Sequence, residues 1–193
     1  TSSAPIETLK TSAPTDLVLT SAQWQSIDHS YSEPHRHYHT LAHLCAMARH
    51  FTEVSEVLGW RHPREVYAAL LFHDLVYDPA RTDNEVRSAK QMRQILSALG
   101  RATGSLNLDK VAQLIELTAL HGQSLRGSLR SDEALFLDID MSILGTPEPV
   151  YLRYESQVEA EYLPVYPGMQ FRLGRAEFLR KTLAAGPIFL SPF

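Results

Sequence analysis

Apolar positions recur at the helical period through most of the chain, and no run of alternating apolar and polar residues predicts a strand. Leu17 to Ile27 forms a modest first stretch, with Thr15 or Asp16 placed to cap it and Trp24 as its anchor in the core. From about His39 the positions Leu41, Leu44, Cys45, Ala48, Phe51 and Thr52 trace a long helix to Leu58. Arg61 to Val76 predicts another: His62 caps it, Pro63 suits its first turn, and Val66, Ala69, Leu70, His73 and Val76 face inward. Pro79 biases Asp78 away from helical geometry and ends this element. Ala80 to Leu99 keeps Val86, Ala89, Met92, Arg93 and Leu96 in register, with Thr82 and Glu85 as a capping box. A helix from Asp109 turns Val111, Leu114, Ile115 and Thr118 to one side, and His121 follows three residues later. Ser131 is placed to cap SDEALFLDIDMSILG, and Thr146-Pro147 opens a long helix with Val150, Tyr151, Tyr154 and Val158 that is interrupted near Pro164. A last helix runs from about Met169 to Ala185 and stops at Gly186-Pro187.

Between these elements, Gly100 to Leu108 and Gly122 to Gly127 predict loops. Thr1 to Pro14, rich in Ser, Thr, Ala and Pro, reads as a flexible N-terminal arm with little to bury. The expected architecture is therefore all-α: a single-domain helical bundle over residues 15–193, preceded by an arm at 1–14. A chain of 193 residues with 44% hydrophobic content can bury one proper core without a second domain.

Charge narrows the function. A net charge of -4 and a pI near 6.1 argue against a dedicated nucleic-acid surface, while a small anionic ligand needs only local cations. The lone Cys45 cannot form an intrachain disulfide and sits among apolar helical positions, which fits a reducing, cytoplasmic setting. There is no run of eighteen apolar residues and no secretory pattern at the amino end, so no membrane partner is expected; a homodimer stays open. Neither G-x-x-x-x-G-K nor G-x-G-x-x-G occurs.

The candidate chemistry lies in histidines and aspartates. His73 and Asp74 stand side by side inside the apolar run LLFHDLVYDP, where an ionised carboxylate is costly unless it is paired or holds a metal. Alone, the pair reads as a hydrogen-bonded core histidine beside a capping or salt-bridged aspartate more readily than as a metal site, and the rest of the chain has to overturn that. His35, His37, His39 and His43 crowd into one short segment with Arg36. His39 and His43 have the i, i+4 spacing with which two imidazoles share a zinc ion, yet Thr40 stands where a zinc protease needs glutamate. His121 faces the same interior as His73 or caps its own helix through the dipole. Asp138 and Asp140 lie on nearly opposite faces of their helix, and periodicity does not choose between them.

Taken together, RHYHTLAHL, HDLVYDPARTDNEVRSA and FLDIDMSILG resemble the HD-domain superfamily, in particular a branch of metal-dependent HD phosphohydrolases, over roughly Trp24 to Ile188. The resemblance implies an HD-type helical bundle with metal ligands His43, His73, Asp74 and Asp140, and Asp138 in reserve for the last. It implies catalytic work for Asp74 and for Asp78, which orients water or holds a second ion; relatives that break ppGpp carry an acid at the matching place, preceded by glutamate where this chain has Tyr77. Glu85, besides its capping role, is a candidate water-orienting acid. Arg36, Arg81 and Arg87, with His37, His39 and His121, are the candidate substrate-binding groups. Relatives continue with a further helical segment, whereas this chain stops at Phe193; if that end is missing, one pocket wall is missing with it.

Two imidazoles and two carboxylates suit Mn, Fe, Co, Ni or Zn, with Mg as an alternative. The expected activity is hydrolysis of a phosphate ester or anhydride of a small molecule, a nucleotide first, by metal-activated water. Two rivals remain: a noncatalytic metal- or nucleotide-binding regulatory module, and a di-iron HD-type oxygenase, for which His121 and Asp78 are the obvious extra ligands.

Overall fold

Seven consecutive residues, Val66 to Phe72, are completely buried, and a helix apolar on every side must be surrounded rather than laid on a surface. In the computed structural model of the chain, which describes residues 3–97, 106–121 and 131–192, this segment belongs to helix α4 (Pro63–Phe72). Before it come α1 (Ala4–Ser12), α2 (Ser21–Tyr31) and α3 (Leu41–Val57). After it come α5 (Asn84–Ser97), α6 (Leu108–Leu117), α7 (Ser131–Asp140), α8 (Glu148–Tyr162) and α9 (Met169–Ala184). Helices α3, α5, α6 and α7 pack around α4, and α1 lies on α3. All regular structure among the described residues is helical, so the fold is the all-α, single-domain bundle that the pattern predicts.

One principal core runs from Ile6 in α1 to Ile139 in α7. A smaller cluster gathers Tyr154, Val158 and Phe171 from α8 and α9, with Tyr38 and Ile143 against it. The histidines lie where the two meet: the Tyr38 ring is 4.5 Å from that of Tyr154 and 5.0 Å from that of His43.

The N-terminal arm expected to be flexible is instead largely helical. Ile6 and Leu9, three apart on α1, are 1% and 0% exposed, and the Tyr67 hydroxyl donates to the Leu9 carbonyl at 2.6 Å. Two well-placed apolar side chains suffice to dock a single turn-and-a-half of interface, and composition hides them. The Ser and Thr residues do not oppose the helix, because Thr8, Thr11 and Ser12 donate their hydroxyls back to the carbonyls of Ala4, Glu7 and Thr8. Leu9→Ala is expected to cost about 2–3 kcal/mol of stability in denaturant titration, the lower part of the range for buried leucine; an unchanged midpoint would mean that α1 is not part of the core.

Several boundaries differ from the sequence expectations for local reasons. Helix α2 starts at Ser21, because Thr20 and Gln23 form a reciprocal capping box, rather than at Leu17. Helix α3 starts at Leu41, with the Thr40 hydroxyl accepting the Ala42 N–H, so His39 precedes the helix and does not share a helical face with His43. Its far end closes at Gly59, whose φ of +76° lets its N–H turn back to the Val54 carbonyl. Helix α4 ends at Phe72, not Val76, and α5 starts at Asn84 with the Asp83 carbonyl taking the Arg87 N–H. The expected Thr82–Glu85 capping box therefore does not form. Ser131 is the first residue of α7 rather than its cap. The loop expected at Gly122 to Gly127, and most of that at Gly100 to Leu108, lie outside the described residues. Among the described residues, no helix is long and apolar enough to cross a membrane.

Candidate metal centre

Three helix ends converge on one point. His43 enters from the first turn of α3, where the Thr40 cap sets its direction; His73 and Asp74 follow the last turn of α4; Asp140 is the last residue of α7. His43 Nε2 lies 3.3 Å from His73 Nε2 and 3.2 Å from Asp140 Oδ1, which is 3.6 Å from His73 Nε2. These three residues each offer a ligand atom within 4.8 Å of the others. Asp74 stands at the edge of the group, its Oδ2 3.0 Å from His73 Nε2.

The protons decide what such a cluster can hold. His73 Nδ1 is 3.0 Å from the Leu70 carbonyl, which can only accept, so Nδ1 carries the hydrogen and Nε2 turns a lone pair to the centre. Facing it are a second imidazole nitrogen and two carboxylate oxygens. Acceptors brought this close need a cation among them, either a proton or a metal ion. Burial pushes the His73 imidazole down, but the carboxylates of Asp74 and Asp140 outweigh it and hold the group well above its ordinary value. Burial likewise pushes Asp74 and Asp140 up, and His73 foremost brings both below the usual carboxylate range. His43, His73 and Asp140, with His73 anchored on a backbone carbonyl and Asp140 braced by His121 Nε2 at 2.8 Å, could hold a metal ion.

Access is one-sided. The side chains of His43 and His73 are 4% and 1% exposed and form the floor, while Asp74, Asp140, His121 and His39 are 12% to 20% exposed and form the mouth. A groove of about 540 Å³ on the α5–α6 side, lined by His62, Arg93, Lys110 and Glu116 among others, shares no residue with the cluster. Chemistry rather than volume marks the site.

Of the residues expected to bind substrate, His39 and His121 are at the mouth: His39 Nε2 is 4.0 Å from Asp74 Oδ2. His37 gives only its backbone N–H to the neighbourhood and leaves its side chain exposed. Arg36 is a correction. Its guanidinium is fully buried and donates to Glu33 and to the carbonyls of His39, Asp74 and Leu75, so it braces the two loops of the site instead of meeting a ligand. Arg81 is exposed and forked onto Asp83, and Arg87 is exposed on α5. Asp78 Oδ1 accepts the Ala80 N–H within its own turn. Glu85 sits in the first turn of α5. Asp138, the reserve ligand, faces away and accepts the N–H groups of Leu190 and Ser191 at 2.7 Å each.

Sequence reasoning missed Glu161. Its carboxylate is buried in α8 and accepts from His37, Tyr38, His39 and Tyr77. Burial pushes it up, but the bond and charge of His39 and the backbone N–H groups bring it down to about 2. Continuing the Tyr154–Val158 face by three residues lands on Glu161, a signal hidden by the neighbouring tyrosines. Burial also keeps the phenols of Tyr31, Tyr38 and Tyr77 well above their ordinary value and neutral. Compared with family models, with curated proteins and with solved structures, the chain matches none of them.

Proposed function

We propose that this chain is a metal-dependent phosphohydrolase of the HD type, acting on a phosphate ester or anhydride of a small molecule. The observation that carries this reading is the convergence of His43, His73 and Asp140, with Asp74 beside them, from three separate helices in the order H, HD, D. His43, His73, Asp140 and Asp74 would hold the ion. When bound, a divalent ion supplies water of lowered pKa and neutralises charge developing on a phosphate group. The Leu70 carbonyl keeps His73 Nε2 free to ligate, and His121 fixes the Asp140 carboxylate. Arg36 holds the backbone carbonyls of His39 and Asp74 together, which sets the width of the mouth. His39 and His121 are the polar side chains placed to meet substrate. A nucleotide is the first candidate, on the resemblance alone.

The purified chain is expected to retain close to one equivalent of a divalent transition metal by elemental analysis. A screen of nucleotides and simple phosphate esters, run with Mn, Fe, Co, Ni, Zn and Mg in turn, is expected to release orthophosphate from at least one of them. Metal and ligand binding without turnover would favour a regulatory module, and iron with oxygen consumption a di-iron oxygenase. A chain that binds no metal would end all three.

A further inference from the structure

Glu161 is the most fully engaged acid in the described molecule, and the chemistry assigned so far does not use it. Its side chain is 0% exposed. Oε1 accepts three successive backbone N–H groups, from His37 and Tyr38 at 2.7 Å and from His39 at 3.0 Å. Oε2 takes His39 Nδ1 at 2.7 Å and the Tyr77 hydroxyl at 2.8 Å, and the Tyr77 ring stacks on that of His39 at 4.2 Å. A residue of α8 thus ties the segment before α3 to the turn after α4, on opposite sides of the mouth.

Holding a loop does not need a carboxylate, since a glutamine oxygen would accept the same three N–H groups. What the carboxylate adds is a second oxygen that can only accept, and this dictates which nitrogen of His39 bears hydrogen. We propose that Glu161 is a positioning residue of the site: it keeps the hydrogen of His39 on Nδ1 and the ring fixed by Tyr77, leaving Nε2 to exchange hydrogen bonds with the water or substrate group in the mouth. The geometry stands by itself; the role of Nε2 toward substrate rests on the phosphohydrolase reading. Glu161→Gln presents an amide N–H to His39 Nδ1 and so favours the opposite tautomer.

The test combines a spectrum with kinetics. Burial lowers the His39 imidazole, but Glu161 and Asp74 together hold it above its ordinary value. Long-range proton–nitrogen NMR of zinc-loaded, histidine-labelled chain is therefore run up a pH series until the His39 ring is neutral, and is expected to show His39 then protonated on Nδ1 in the wild type and in Tyr77→Phe. Glu161→Gln is expected to move that hydrogen to Nε2 with metal content unchanged. With para-nitrophenyl phosphate, kcat of Glu161→Gln should fall about 10–100-fold, the usual effect of removing an orienting partner, while KM moves far less. A wild-type His39 carrying its hydrogen on Nε2, or a Glu161→Gln chain with tautomer and kcat both unchanged, overturns the proposal. Should Glu161→Gln not fold, the wild-type and Tyr77→Phe spectra still decide. An Nδ1–H wild type that hydrolyses no phosphate ester upholds the positioning and overturns the function instead.

Discussion

Asp140→Ala is expected to yield a folded chain that retains almost no metal and loses more than about 100-fold in kcat/KM, beyond the loss typical for an orienting partner. Asp140 brings Oδ1 to both imidazole nitrogens and Oδ2 to His121, so its removal takes away a ligand atom and frees the histidine that braces it. Asp74→Ala belongs to the same class, since its Oδ2 is 3.0 Å from His73 Nε2. Asp138→Ala provides the contrast. Two residues earlier on the same helix, that carboxylate holds the N–H groups of Leu190 and Ser191. Its loss should cost about 1–3 kcal/mol of stability and leave the metal in place. Elemental analysis and thermal melts of the three variants separate the cases, and metal retained by Asp140→Ala but lost by Asp138→Ala would reverse the assignment.

The contrast also shows how far the sequence reaches. Long periodic segments such as α3 and α6 could be read directly, because a helix that buries one face writes its period into the chain. The choice between Asp138 and Asp140 could not: both abut apolar residues, and what separates them is the tail that returns to residue 138 from residues 190 and 191. Contacts between residues so distant in sequence leave no periodic trace. The same holds for Glu161, whose partners His37 and Tyr77 lie more than eighty residues upstream. Arginines mislead for a related reason. Sequence presents each as a free cation near the histidines, whereas Arg81 is taken up by Asp83 two residues away and Arg36 by carbonyls of a second loop. The arm at 1–14 fails on composition: polar hydroxyls that fold onto their own helix look like those of a solvated tail.

Arg36→Ala should therefore show itself in stability before it shows in substrate affinity. The guanidinium donates to Glu33 Oε2 at 2.9 Å, to the Asp74 carbonyl at 2.7 Å, to the Leu75 carbonyl at 3.0 Å and to the His39 carbonyl at 3.3 Å. It also lies over the rings of Tyr31 and Tyr77, 5.0 Å and 5.4 Å from their centroids. Truncation leaves buried carbonyls without donors and opens a void between two aromatic rings. Hydrogen bonds to a charged donor contribute about 1.5–3 kcal/mol each and are not additive, so a total loss of about 3–5 kcal/mol is expected. For a chain of this size that lowers the melting temperature by roughly 10 °C. Arg36→Lys should recover little, because a single ammonium cannot reproduce a planar fork spanning carbonyls of two loops. Arg36 joins the Asp74 and His39 carbonyls directly, so metal affinity should weaken alongside stability, in the same variants and by the same cause. A variant that melts with the wild type and changes only KM for a phosphate ester would return Arg36 to the substrate, and the width of the mouth would need another explanation.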